Sequence, residues 1–270
     1  PAEKPLSRKV AMITGSAGGI GKAIAERFVQ EGACVVLNDL DPDRLQAAAD
    51  EFNQRFGRDA AIAVPLDVTS AKAVEQAFAA GNLAFGGVDI VVNCAGLSIS
   101  RPLEEYTEQQ WDLLYDVLVK GQFLVTQAAV RIMKTQGMGG DVINIVSKNA
   151  IVSGPKNAAY GSAKAAQLHM SRLLAAELGE AKIRVNVVNP DAVIEGSHIW
   201  AGGWAKERAA AYGVPLEELP AFYAKRTLLG EVIHTRDIAN AAFAFVGGLL
   251  HKSTGNVLNV DGGLAAAFMR

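Results

Sequence analysis

Lys9-Val10-Ala11-Met12-Ile13-Thr14-Gly15-Ser16-Ala17-Gly18-Gly19-Ile20-Gly21 opens the ordered pattern of the chain. An apolar run of strand length passes directly into a glycine-rich turn, and an amphipathic helical pattern follows. Glycines in such a turn let the backbone fold tightly and approach a pyrophosphate. A small residue at position 21 lets the helix pack against the strand, and the helix N-terminus offers N–H groups and positive dipole to phosphate. Gly15, Ser16, Gly19 and Ile20 are therefore expected to contact a dinucleotide.

The rest of the chain repeats the alternation. Strands are predicted at residues 9–14, 34–38, 61–65, 90–93, 141–146, 184–188 and 257–260, all rich in Val and Ile and apolar on both faces. Helical patterns fill 20–31, 42–56, 71–85, 108–135, 159–178 and 236–250. Strand–helix alternation requires crossover connections and a parallel sheet covered on both sides. The expectation is an α/β fold: one Rossmann-type, doubly wound domain over residues 1–270. Residues 191–230, rich in aromatics, break the rhythm after the sixth strand and read as a substrate lid.

Composition narrows the partners. Among 270 residues, 26 Lys+Arg face 28 Asp+Glu, a net charge of -2. No basic excess exists to neutralise nucleic acid. No uninterrupted run reaches the roughly 18 apolar residues of a membrane span. The absence of an export signal and the use of only two cysteines, Cys34 and Cys94, point to a reducing, cytoplasmic setting with two buried free thiols. His169, His198, His234 and His251 are dispersed, so no metal site is expected.

Chemistry gathers at predicted strand ends. Asp39, followed by Leu40, ends the second strand, 18 residues after Gly21. A carboxylate there accepts ribose hydroxyls and repels a 2′-phosphate, so NAD is favoured over NADP. Asp67 and Val68 end the third strand. Asp67 is placed to accept from the adenine amino group. Asn93 ends the fourth and braces the crevice, with Ala95 leaving room for ribose. Ser147 ends the fifth strand, 13 residues before Tyr160, and Tyr160 and Lys164 share a helix face at i,i+4. An adjacent ammonium lowers the phenol pKa from ~10, so that Tyr160 exchanges a proton with a substrate hydroxyl while Ser147 holds the oxygen. Lys148, Asn149 and His198 are expected to meet a polar substrate, and the aromatics of residues 200–223 to pack the lid.

These motifs resemble the short-chain dehydrogenase/reductases over nearly the whole chain: Thr14–Gly21, Asp39, Asp67-Val68, Asn93–Gly96, Ser147, Tyr160 with Lys164, and Val260–Gly263. The resemblance implies a nicotinamide-dependent oxidoreductase, usually a homotetramer or homodimer, with Pro190 and Val193 beside the cofactor. Three departures stand out. Leu118 occupies the place of a common catalytic Asn and cannot hold a relay water. Asp191 replaces Gly after Pro190. Glu195 aligns with a common Thr, for which Ser197 is the substitute. The stretches around these departures, with residues 194–200 and 264–270, resemble the C-terminal dehydrogenase domain of bifunctional rhamnulose-1-phosphate aldolase/alcohol dehydrogenases. That likeness implies a lactaldehyde-like or sugar-derived substrate and a place in a larger aldolase fusion. A free-standing sugar, polyol or sugar-acid dehydrogenase is the alternative. A non-catalytic NAD-binding sensor or assembly subunit is the rival of another class, disfavoured by the intact Ser147, Tyr160 and Lys164.

Overall fold

The computed structural model describes residues 3–57, 59–197, 200 and 203–268. Seven strands, β1 (Val10–Thr14), β2 (Cys34–Asn38), β3 (Ala61–Ala63), β4 (Ile90–Asn93), β5 (Gly140–Ile145), β6 (Ile183–Pro190) and β7 (Val257–Val260), form one parallel sheet in the order β3-β2-β1-β4-β5-β6-β7. The order reverses between β1 and β4, which pair through Ala11, Met12 and Ile13 against Ile90, Val91 and Val92. Loops leaving these two strands diverge to opposite faces and open a crevice at the carboxyl edge.

Side-chain alternation along each strand divides the core in two. Ala11 and Ile13, Val35 and Leu37, Ile90 and Val92 join one layer with Ile24, Phe28 and Phe52. That layer comes from helices α1 (Gly19–Gln30) and α2 (Pro42–Phe56), and from α9 (Thr235–Val246) through Ile238 and Phe245. Val10, Met12, Val36 and Val91 face the other way. They meet Phe78 of α3 (Ala71–Phe85), Val125 and Met133 of α5 (Gly121–Gln136), and Leu178 of α6 (Ala158–Leu178).

Local signals set the helix ends. Asp41 accepts from the Arg44 N–H at 3.1 Å and Pro42 occupies the first turn of α2. Ser70 caps α3 by accepting from Ala73 N–H at 3.3 Å. Thr107 and Gln110 form a reciprocal capping box at α4 (Glu108–Tyr115).

The predicted helix 108–135 is not uniform. A π-helical turn over Asp116–Lys120 separates α4 from α5. The Leu118 carbonyl accepts from Gln167 Nε2 at 2.6 Å, so α6 supplies a hydrogen bond to the widened turn. By length and mean composition the run Glu108–Gln136 could cross a membrane, although it lacks an uninterrupted apolar stretch. Here Val125, Ala128, Ala129 and Met133 are buried in the layer beneath the sheet.

The last predicted helix ends at Val246, before Leu250. Residues 191–230 hold short lid helices, α7 (Gly203–Tyr212) and α8 (Leu219–Ala224), as well as irregular chain.

Packing explains why position 21 is glycine. A Cβ there would lie 2.1 Å from the Gly15 carbonyl oxygen, a backbone atom with no freedom to yield. Gly21→Ala is expected to separate α1 from the turn and destabilise the chain by about 1–3 kcal/mol, read as a lower midpoint in urea unfolding.

Candidate active site

The glycine turn is set by steric contact. Gly15 has φ 66°, and a Cβ there would come within 2.9 Å of the Ala95 backbone at the end of β4. The turn and the β4 end therefore touch backbone to backbone, which only glycine permits. Gly18 at the N-cap of α1 gives no side-chain cap, and the first turn holds no acid. The N-terminal donors are thus left to a ligand, and the positive end of the helix dipole is not offset.

Not every predicted residue of the turn faces outward. Ser16 is wholly buried; its hydroxyl donates to Ile13 O at 2.9 Å and accepts from Asn38 N–H at 2.9 Å. Its side chain therefore ties the turn to β2 instead of reaching a ligand. Asp39 accepts from the N–H of Ala17 at 3.1 Å and of Leu40 at 2.8 Å, which fixes its carboxylate beside the turn. The Leu40 side chain is exposed. Asp67 is exposed and accepts from the N–H and hydroxyl of Thr69, while Val68 is buried.

Asn93, expected to brace the backbone at the crevice, turns its amide to two buried side chains. Buried, it donates to Thr126 Oγ1 at 3.0 Å and Asn144 Oδ1 at 2.8 Å, joining β4 to α5 and β5. It does not line the cavity. Cys94 does line it, so this thiol is half-buried at a cavity wall and not core; Cys34 is half-buried too. Burial pushes the Cys94 thiol up to about 12. Among the described residues no group of three His, Cys, Asp or Glu converges as a metal set.

A cavity of about 730 Å³ opens at the carboxyl ends of β4, β5 and β6 and beneath the lid. Ser147, Tyr160, Lys164, Pro190 and Val193 all line it, as does Ile20 of α1. The cavity thus reaches from Ile20, at the start of α1, to the Tyr–Lys pair. Together with the uncapped helix end, this arrangement fits a dinucleotide.

Ser147 has extended backbone (φ -176°), and its Oγ accepts from Asn149 N–H at 3.2 Å and is hydrogen-bonded to the Tyr160 hydroxyl. Lys164 Nζ donates to Ile145 O at 3.1 Å and lies 5.8 Å from the Tyr160 ring centroid.

The electrostatics differ from the sequence expectation. Tyr160 packs with Leu114, Leu118, Ala159 and Ala163. Burial there pushes its pKa up to about 12. The Ser147 hydrogen bond opposes this and the Asp191 charge adds to it. Burial likewise pushes Lys164 down to about 8. Desolvation is the leading cause of both shifts, and neither group figures among the causes acting on the other. Tyr160 in the chain alone is a protonated acid at neutral pH.

The departures at 118, 191 and 195 acquire roles. Leu118 forms part of the apolar wall behind Tyr160, and its side chain lies 3.4 Å from where a Cβ on Gly96 would sit. Asp191, 4% exposed, pairs with Lys148, 8% exposed, at 3.3 Å. Lys148 lines the cavity, but its charge is matched by Asp191, which sequence reading left unassigned. Asn149 lines the cavity as expected; His198 lies outside the described residues. Glu195 turns to His234 Nδ1 at 2.9 Å, whereas Ser197 lines the cavity.

The lid aromatics pack on one another. Tyr212 stacks on Phe222 at 4.6 Å, and Trp200 meets Tyr223 edge-on at 5.5 Å; all four also face the cavity. The lid further supplies Arg208 and Arg226, which sequence reading did not single out.

Residues 9–198 match the short chain dehydrogenase family, and the chain belongs to that family. Over its whole length it is 47% identical to the uncharacterized oxidoreductase YuxG of Bacillus subtilis (strain 168), and it spans 39% of that relative's length. It is 31% identical to an NAD-dependent glycerol dehydrogenase of Listeria innocua, covering 96% of this chain and 94% of that one. A solved short-chain type dehydrogenase/reductase from Mycobacterium marinum superposes with a TM-score of 0.83 at 30% identity, covering 96% of each chain. The protein is an oxidoreductase of alcohol and carbonyl substrates that uses a nicotinamide cofactor.

The depressed Lys164 value has a thermodynamic consequence. Between pH 8 and 10.5 the folded chain holds fewer protons at this site than the unfolded chain, so stability from this group rises with pH across that window. Lys164→Met should flatten that rise relative to the parent, measured as urea unfolding free energy against pH.

Proposed function

We propose that this chain is an NAD-dependent dehydrogenase of small hydroxy or carbonyl compounds derived from carbohydrate. The observation that carries the reading is the convergence of Ser147, Tyr160 and Lys164 on a cavity that reaches Ile20 of the helix leaving the glycine turn. Bound nicotinamide supplies hydride transfer. Tyr160 exchanges the proton of the reacting hydroxyl, and being protonated at neutral pH it is set to donate to a carbonyl. Ser147 Oγ, held at the strand end, orients the substrate oxygen. Lys164, anchored on Ile145 O, is positioned to hold the nicotinamide ribose. The choice of NAD is supported by Asp39, fixed beside the turn, and by the pairing of Lys22, the first cation after it, with Glu51 at 2.7 Å.

For the substrate, two readings have support. The stretches around residues 118, 147 and 191 support a lactaldehyde-like compound and an aldolase-linked setting, and the much greater length of YuxG is compatible with that setting. The relative that is a glycerol dehydrogenase favours a polyol. The reading extends to a homodimer or homotetramer. Its support is the exposed Trp111 and Leu113 of α4, Phe123 of α5 and Leu173 of α6; a single-chain mass by light scattering would count against it.

Tyr160→Phe is expected to lower turnover by roughly 10²–10⁴-fold while leaving NAD affinity within a few-fold. Activity within tenfold of the parent would overturn the mechanism. Binding of NAD by the parent without turnover of any alcohol or carbonyl would favour the sensor reading.

Cofactor choice is tested separately. The parent should show kcat/KM for NAD at least tenfold above that for NADP, and Asp39→Asn should narrow the ratio by removing the charge that repels a 2′-phosphate. An unchanged ratio would remove Asp39 from this role.

A further inference from the structure

The cavity is unevenly charged. Lys148, Lys156, Lys164, Arg208 and Arg226 line it, against one carboxylate, Asp191, among the described lining residues. Asp191 is engaged by Lys148 on the sheet side. Among the described lining residues, the side chains toward the mouth and lid thus include Lys156, Arg208 and Arg226 and no carboxylate.

Their placement is built and not incidental. Arg208 of α7 donates from Nη2 to Ser100 Oγ at 2.6 Å, and Ser100 Oγ donates to Lys156 O at 2.7 Å. One chain of hydrogen bonds thus ties the lid to the loops after β4 and before α6, running from the Arg208 guanidinium through Ser100 to the main chain of Lys156. Arg226, just past α8, lies over the Tyr223 ring at 4.9 Å, and Tyr223 is itself packed against Trp200, Tyr212 and Phe222. The aromatic cluster holds this guanidinium at the cavity wall.

We propose that the substrate carries an oxyanion, a carboxylate or a phosphate monoester, on the side remote from the reacting carbon, and that Arg208 and Arg226 on the lid recognise it. This rests on the dehydrogenase reading but replaces the neutral lactaldehyde-like compound or polyol with an acid or phosphate ester of such a compound. The carbon bearing the hydroxyl faces Ser147 and Tyr160, and the anionic end points to the lid. Guanidinium groups suit both oxyanions because their forked donors match planar carboxylate and phosphate oxygens. A positively charged cavity with apolar walls also concentrates anions from solution.

The test compares matched sets with the whole chain and NAD: glycerol, glycerate and glycerol 3-phosphate, then erythritol, erythronate and erythritol 4-phosphate. An anionic member of a set should exceed its neutral parent at least tenfold in kcat/KM, chiefly through KM. The member preferred distinguishes carboxylate from phosphate. Arg208→Gln and Arg226→Gln should each reduce that preference about tenfold, and the corresponding Lys variants should recover part of it.

Equal or better use of the neutral members would overturn the proposal and leave the dehydrogenase reading standing. So would a loss in the Gln variants that falls equally on neutral and anionic members, or on NAD affinity. If no member turns over, calorimetry of the same compounds on the NAD-bound protein decides. Arginine-dependent binding of the anions would uphold the anion site and leave the dehydrogenase reading to a wider set of alcohols and carbonyls. No binding would overturn the site.

Discussion

The backbone of Gly15 passes so close to Ala95 that no side chain fits between them, and α1 leaves the turn over the Gly15 carbonyl. This three-way approach of β1, β4 and α1 lies at the point where the strand order reverses. A parallel sheet has a carboxyl edge, but an edge alone has no crevice. The crevice exists because the chain leaving β1 and the chain leaving β4 depart in opposite directions from a common contact. The buried network under that contact holds it in place. Asn93 spans to β5 and α5, and Asn144 continues to Ser171 of α6 through a 2.8 Å bond. The helix carrying Tyr160 and Lys164 is therefore tied to the strand ends that frame the glycine turn.

Burial then determines the chemistry of that helix. In water an ammonium near a phenol would favour the phenolate. In the apolar wall formed with Leu114 and Leu118, desolvation moves both groups toward their neutral forms, with Tyr160 near 12 and Lys164 near 8. The direction is physically consistent because neither charge finds enough compensation from the protein alone. Lys164 has the Ile145 carbonyl, and Tyr160 has the Ser147 hydroxyl. The pair is thus responsive to charge that arrives with a ligand, more so than a solvated pair would be, since a dry site screens less.

Much of this was legible in order along the chain. Strand periodicity, the Gly15–Gly21 turn, Asp39 and the Tyr160–Lys164 spacing are local signals, and the seven strands lie within a few residues of their expected positions. Interactions between distant segments were not legible. The π-helical turn at Leu118 depends on Gln167 of another helix. The inward turn of the Ser16 hydroxyl depends on Asn38. Lys148, expected to meet the substrate, is paired with Asp191, which follows the next strand. The reversed pKa of Tyr160 depends on an apolar wall assembled from three separate segments. In each case the residue type was readable but its partner lay across a crossover connection.

The departure at position 191 connects these threads. With glycine there, as in many members of the family, Lys148 would stand beside Ser147 without a buried counter-charge. Removing one partner of a buried pair typically costs about 3–5 kcal/mol, so residues 148 and 191 form a unit. Asp191 also raises the Tyr160 pKa, which makes the phenol a more firmly protonated donor. The pair thus cancels positive charge near the reacting oxygen, while Arg208 and Arg226 face the same cavity from the lid. Charge is graded across one cavity, from an ion pair on the sheet side to two arginines among the described lid residues. Such a gradient orients a bifunctional molecule without requiring complementary shape, because only one of its two ends is attracted to the lid.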